Sequence, residues 1–195
     1  MRKLGLLLCA PLILLRGQST GADAFTARIT AQIEVRNPRA ARIFVSANDA
    51  RERRDWKEAE RLYAEVHRLE PQFSHATRRL CGVLLEQGRK DEAVAFCREV
   101  LQIEKTPENR AALINAIIRE TGSAKPSPEQ VREAGGLAWE LLNERVLESY
   151  GLVAVCLAAA AGHDRDLLRR GVQRLRESEP QLCPHSLFCL AACGQ

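Results

Sequence analysis

Aromatic residues and prolines are few in this sequence, and charge of one sign is nowhere concentrated. Phe, Trp and Tyr make up 5% of the 195 residues, and a formal net charge of +4 is weak for a nucleic-acid-binding protein. There is no glycine-rich phosphate loop, no pair of residues at metal-site spacing and no recognisable nucleophile motif. We therefore predict that the protein is not an enzyme, uses no cofactor or resident metal, and does not bind nucleic acid.

The first 24 residues are typical of a secretory signal peptide. A positively charged start precedes the apolar stretch 4–15, which has the length of a signal-peptide core and is shorter than the roughly 20 residues that span a membrane. Ala22 and Ala24 form a small-x-small site, which predicts cleavage after Ala24 and no membrane span in the mature chain. An uncleaved anchor or a stray apolar start is the alternative. The sequence has no Asn-x-Ser/Thr acceptor site, which favours a bacterial periplasmic protein over another secreted one.

One helical pattern occurs twice, 34 residues apart: Glu58-Ala59 in WKEAERLYAEVHRLEP (56–71) recurs as Glu92-Ala93 in KDEAVAFCREVLQIEKTP (90–107). In both copies apolar residues follow helical spacing. These residues are Ala59, Leu62, Tyr63, Val66 and Leu69, and then Ala93, Phe96, Cys97, Val100 and Ile103. A further helical pattern precedes each copy, so the chain is predicted to contain helix–turn–helix units.

Units of this period resemble the tetratricopeptide repeat. The matching positions are Ile43, Ala47, Ala50, Ala59, Tyr63 and Pro71 in the first unit and Leu80, Cys81, Leu84, Ala93 and Cys97 in the second. The resemblance implies an all-α, right-handed α-solenoid of about four repeats plus a C-terminal single helix. The solenoid would occupy 40–195, with units at about 40–73, 74–107, 108–148 and 149–182 and the last helix at 184–193. Such solenoids generally serve protein–protein interaction.

The lead-in segment 25–39 is ambiguous. Within it FTARITAQIEVR (25–36) alternates apolar and polar residues as a strand does, but Phe25, Ile29 and Ile33 also share one helix face. We predict a helix, because a single strand in an all-helical fold would have no partner within the chain.

The resemblance also implies a concave groove lined by the first helix of each unit. The candidate groove residues are Phe44, Asn48, Arg51, His75, Arg78, Arg79, Asn109, Arg119 and Tyr150. The arginines would suit an acidic peptide or a C-terminal carboxylate; a solvated arginine face is the alternative. The function predicted from this is an exported adaptor, scaffold or assembly factor for another protein.

The cysteines support a further prediction. Cys81 and Cys97 are nearly equidistant from the turn of their hairpin, so their Cα atoms should lie within about 4–6 Å, as a disulfide requires. Two reduced core cysteines are the alternative. Cys156 is a candidate for a second disulfide with Cys189 or Cys193.

The C-terminal run CPHSLFCLAAC (183–193) leaves two other functions open. Cys183, His185, Cys189 and Cys193 could serve a thiol-redox or metal-handling protein, although their spacing matches no standard zinc pattern. The last helix is also apolar nearly all round, and it could seal a homodimer.

Overall fold

The structure, a computed structural model, describes residues 21–120 and 125–178. The bulk of the predicted leader (1–20) and the segment that carries Cys183, His185, Cys189, Cys193 and the last helix therefore lie outside the described residues. The described ranges form nine α-helices and contain no strand: α1 (Gly21–Arg36), α2 (Pro38–Glu52), α3 (Trp56–Leu69), α4 (Ser74–Glu86), α5 (Lys90–Ile103), α6 (Pro107–Ile118), α7 (Pro128–Leu142), α8 (Ser149–Ala161) and α9 (Arg165–Ser178).

These helices form a stack of hairpins. The pairs are α2 with α3, α4 with α5, α6 with α7, and α8 with α9, and α1 packs on α2. The second helix of each hairpin also packs on the first helix of the next, so one continuous apolar core runs from Ile29 to Leu175. A single hairpin could not bury its apolar face alone, and stacking provides the cover. The predicted all-α solenoid is confirmed.

Local sequence signals set the helix ends. The Asp55 side chain accepts a hydrogen bond from the Glu58 backbone N–H at the start of α3, and Thr106 does the same for Asn109 at the start of α6. Each side chain satisfies a backbone donor that has no partner inside its helix. In the turn between α4 and α5, Gly88 takes a φ of 76°, which glycine adopts without steric cost. At these three places the local residues therefore account for where a helix begins or a hairpin turns.

Residues 25–36 are helical, as predicted, and belong to α1. Ile29 and Ile33, four residues apart, are buried against the core, whereas Val35 is 89% exposed. A strand would have placed all three side chains on one face, so the strand alternative is wrong.

Small residues lie where the helices approach most closely. Ala47, Ala59 and Ala93 are all fully buried. A larger side chain at these positions would push the paired helices apart. None of the helices in the described ranges combines the length and the hydropathy that a membrane span requires.

Candidate functional site

An open groove of about 1090 Å³ crosses the first helices of successive hairpins. It runs from the C-terminal end of α2, along α4, to α6 and the start of α8. Its lining includes four of the predicted groove residues, namely Arg51, Arg78, Arg79 and Tyr150. The lining residues that the sequence did not identify are Phe25, Glu52, Trp56, Cys81, Gly82, Val83, Leu85, Glu86, Glu108, Ala112, Asn115, Glu148 and Ser149.

Arg79 lies on the groove side of α4 and is held by neutral groups. Its guanidinium stacks on the ring of Phe44, with Cζ 4.8 Å from the ring centroid. One nitrogen donates to Asn48 Oδ1, and the other donates to Thr26 Oγ1 at 3.1 Å. Burial lowers the pKa of Arg79, and the positive charge of Arg51 lowers it further. Because arginine is so basic, the side chain remains a cation at neutral pH.

Phe44 and Asn48 lie beneath Arg79, inside the core. Phe44 is 0% exposed and packs edge-to-face on Tyr63, with ring centroids 5.9 Å apart. Asn48 Oδ1 also accepts a hydrogen bond of 2.6 Å from the Tyr63 hydroxyl. The expectation that Phe44 and Asn48 contact a partner directly does not fit this burial, because neighbouring helices cover both side chains. Their observed contacts orient the guanidinium of Arg79.

Arg78, the preceding residue of α4, occupies a similar environment. It donates to Asn109 Oδ1 at 3.1 Å, and another of its nitrogens lies 2.9 Å from His75 Nδ1. Burial, together with the charge of Arg78, lowers the pKa of His75 to about 4, so His75 is neutral at pH 7 and can accept this bond. Asn109 is 0% exposed and donates to the Glu104 carbonyl at 2.8 Å. Asn109 therefore positions Arg78 and is not open to a partner, and His75 lies beside the lining.

Arg119 is separate from this group. It is exposed near the C-terminal end of α6 and forms an ion pair of 2.7 Å with Glu86, which lines the groove. Its charge is thus compensated by a neighbouring unit, as happens for many exposed arginines of this chain. The structure brings Arg51, Arg78 and Arg79 together and leaves Arg119 at the rim.

Charge in the groove is mixed. The lining contains three arginines and four glutamates, a formal sum of 3 − 4 = −1. The overall sign therefore does not by itself favour an acidic partner. The charges are separated in part: Arg51 and Arg79 lie on α2 and α4, whereas Glu108 and Glu148 lie at the starts of α6 and α8. Glu52 adjoins Arg51, and Arg78 interacts electrostatically with Glu108 and Glu148.

The floor of the groove includes Gly82 in the middle of α4. A Cβ atom built on Gly82 would have no neighbouring atom within 4 Å, so the space above it is open. Glycine inside a helix costs about 1 kcal/mol relative to alanine. No close contact between helices accounts for Gly82, and the room that it leaves belongs to the groove.

Cys81, next to Gly82, is paired with Cys97 across the hairpin of α4 and α5, with Cα atoms 5.7 Å apart. This separation is normal for a disulfide. Cys156 is buried in α8, while its predicted partners Cys189 and Cys193 are not among the described residues. Within 21–120 and 125–178, no group of three metal-ligating side chains comes together.

Comparison with known proteins agrees with this architecture. The family model of the tetratricopeptide repeat matches residues 50–117, which extend from the end of α2 through almost all of α6. A solved structure of pilF from Pseudomonas aeruginosa is similar over 90% of this chain and 82% of that chain, with 17% sequence identity and a TM-score of 0.61. No curated protein matches the sequence.

The fold is thus an all-α solenoid of tetratricopeptide-like hairpins, and its central hairpins carry the sequence signature of that repeat. Stacked helical hairpins of this kind form extended concave surfaces, which generally serve as scaffolds for protein–protein interaction.

Proposed function

We propose that this protein is an exported adaptor or scaffold that holds a segment of a partner protein in its groove, with a carboxylate of that segment bound by Arg79 and Arg51. The observation that carries this proposal is the environment of Arg79. Its cationic side chain is half-buried on the groove floor and, among the described residues, forms no ion pair.

A half-buried cation without a counter-charge is costly, because it loses hydration and gains little in return. Elsewhere in the chain arginines pair with carboxylates, as Arg98 does with Glu133 at 2.6 Å. Arg79 instead faces the positive charges of Arg51 and Arg78. A carboxylate entering the groove would offset this repulsion and form charge-assisted hydrogen bonds with the guanidinium.

The residues that contact Arg79 support the same interpretation. Phe44, Asn48 and Thr26 fix the plane and position of the guanidinium before any partner arrives. A preorganised side chain loses less conformational entropy when it binds than a freely rotating surface arginine would. Arg79 therefore has the properties of a binding residue held ready on a rigid helix.

Export is the second part of the proposal, and it depends on the leader at 1–24. Cleavage after Ala24 would leave Phe25, a lining residue of the groove, as the first residue of the mature protein. N-terminal sequencing of protein purified from the periplasm of a bacterial host would test this. We expect the sequence FTAR; recovery of full-length protein from the cytoplasm alone would contradict export.

Binding can be tested with randomised, terminally blocked peptides in which one fixed position is either Asp or Asn, which differ in charge but hardly in size. We expect the Asp peptides to bind the full chain about tenfold more tightly. Arg79→Gln should abolish this preference. The control is Arg42→Gln, which removes the same charge from an exposed position of α2 outside the groove. Equal binding of Asp and Asn peptides by the unaltered protein would refute the proposed carboxylate site.

A further inference from the structure

We propose that the groove selects a partner segment with two opposite charges in a fixed order, a carboxylate at one end and a basic side chain at the other. The proposal rests on the function proposed above and names the class of partner. We call Arg51 and Arg79 the basic pole of the groove, and Glu108 and Glu148 the acidic pole.

The basic pole lies at α2 and α4. Neither Arg51 nor Arg79 has an ion-pair partner in the part of the chain that the structure describes. One carboxylate, Glu52, lines the groove on the same side; it is exposed at the rim, where solvent screens its charge. The half-buried guanidinium of Arg79 therefore keeps its attraction for an incoming anion.

The acidic pole lies at the start of α6 and α8. Glu108 occupies the first turn of α6, and Glu148 immediately precedes α8. Within the described ranges these two glutamates also lack ion pairs. Both feel the charge of Arg78, but the hydrogen bonds of Arg78 go to Asn109 and His75. The two carboxylates line the groove and can accept hydrogen bonds from an incoming cation.

Tyr150 adds an aromatic surface to the acidic pole. Its side chain is 50% exposed and lines the groove beside Glu148. An ammonium or guanidinium group near an aromatic ring gains cation–π attraction in addition to the attraction of the carboxylates. Two glutamates and a tyrosine thus form a recognition site for lysine or arginine, and the two carboxylates would repel an acidic side chain.

The lining of the groove also contains apolar residues and open space. Val83, Leu85 and Ala112 line it, and the space above Gly82 can receive an apolar side chain. A segment that places an acidic residue over α2 and α4, an apolar residue over Gly82 and a basic residue over α6 and α8 would match all three regions. A polyanion or an anionic membrane surface would meet repulsion at the acidic pole, so the charge pattern favours a protein segment of mixed charge.

The test uses blocked peptides that contain one Asp and one Lys separated by roughly two to eight neutral residues, in both orders, since a bound extended or helical segment would span such a length. Matched peptides replace Lys by Gln or Asp by Asn. We expect one order, at one spacing, to bind the full chain about tenfold more tightly than its reversed sequence and than the peptide with Asp alone.

Variants of the acidic pole then test whether Glu108 and Glu148 cause the tighter binding of peptides that contain Lys. Glu108→Gln and Glu148→Gln should each remove part of the advantage conferred by Lys while leaving the Asp preference intact. The control variant Glu34→Gln alters an exposed glutamate of α1 outside the groove and should change nothing. Circular dichroism confirms folding; Glu148 makes no side-chain capping bond, so its replacement removes no helix cap.

The outcomes separate the two proposals. If peptides with Asp alone bind as tightly as the best Asp–Lys peptide, or if both orders bind equally, the two-pole inference is overturned while the carboxylate site stands. If Asp confers no advantage at all, the proposed function fails and the inference fails with it.

Discussion

One chemical change, glycine to alanine inside a helix, should have opposite consequences at two positions of this chain. Gly82 in α4 borders the open groove, where an added Cβ atom would meet no atom within 4 Å. Gly171 in α9 faces α8, and there the Cβ atom would lie 3.0 Å from Val155 Cγ1 and 3.2 Å from Cys156 Sγ. The two sites therefore separate helix propensity from close packing.

The expected magnitudes follow from these two terms. In both variants alanine restricts the unfolded chain and stabilises the helix by about 0.5–1 kcal/mol. At Gly171 the added methyl group also overpacks a buried helix interface, which typically costs about 1–3 kcal/mol. The helix term is common to the two variants, so the free energy of unfolding of Gly82→Ala should exceed that of Gly171→Ala by about 1–3 kcal/mol.

Urea unfolding followed by circular dichroism measures this difference, provided that the dependence on urea concentration is the same in both variants. Gly135→Ala in α7 is a second control, because its Cβ atom would also meet nothing within 4 Å, and it should be stabilising like Gly82→Ala. If Gly171→Ala proves as stable as Gly82→Ala, the close packing of α8 on α9 described above is wrong.

Three further predictions concern buried groups. The pKa of His75 is about 4 in the folded protein and about 6.5 in an unfolded chain, so its contribution to stability is complete above about pH 6.5 and is lost as the pH falls towards 4. The free energy of unfolding of His75→Gln should therefore depend less steeply on pH in this window, and an unchanged dependence would contradict the half-buried, neutral imidazole. The disulfide Cys81–Cys97 closes a loop of 16 residues, so its reduction should lower the free energy of unfolding by about 3 kcal/mol. A Cys81→Ser/Cys97→Ser variant should have the same stability with and without reductant. If reductant also leaves the stability of the unaltered protein unchanged, no disulfide forms. Tyr63→Phe removes the buried hydrogen bond of 2.6 Å to Asn48 and should cost about 0.5–1.5 kcal/mol in urea unfolding, while an unchanged stability would mean that this bond contributes nothing.

The helical stack could be predicted because its determinants are local and repeated. Apolar spacing indicates each helix, and the 34-residue shift that aligns Ala59 with Ala93 indicates that the helices form equivalent pairs. The ambiguity of residues 25–36 arose because Phe25, Ile29 and Ile33 satisfy both a period of two and a period of nearly four. Packing on α2 favours the helix, and this contact cannot be predicted from the sequence of residues 25–36 alone.

The groove was predicted less well, because accessibility depends on neighbouring helices. Helical periodicity places Phe44, Asn48 and Arg51 on one side of α2, but it does not show that α3 and α4 cover the first two. Phe25 and Trp56 enter the lining only through the way in which α1 and α3 cross the stack. The place of both residues in the groove depends on tertiary packing, and nothing in the sequence around Phe25 or Trp56 predicts it.

The arginines of the chain fall into two physical classes, and the difference bears on function. Arg98 is exposed and pairs with Glu133 at 2.6 Å; such surface pairs contribute about 0–1 kcal/mol and link neighbouring hairpins. Arg79 is half-buried, touches only neutral groups and lies near two like charges. For stability alone, an apolar side chain at position 79, packed on the ring of Phe44, would be better than an arginine. Local rules of stability are broken most often where a protein binds something, and at Arg79 the broken rule coincides with an open groove, an orienting set of buried residues and an empty space over Gly82. The carboxylate-bearing segment that we propose as the partner would account for all four features.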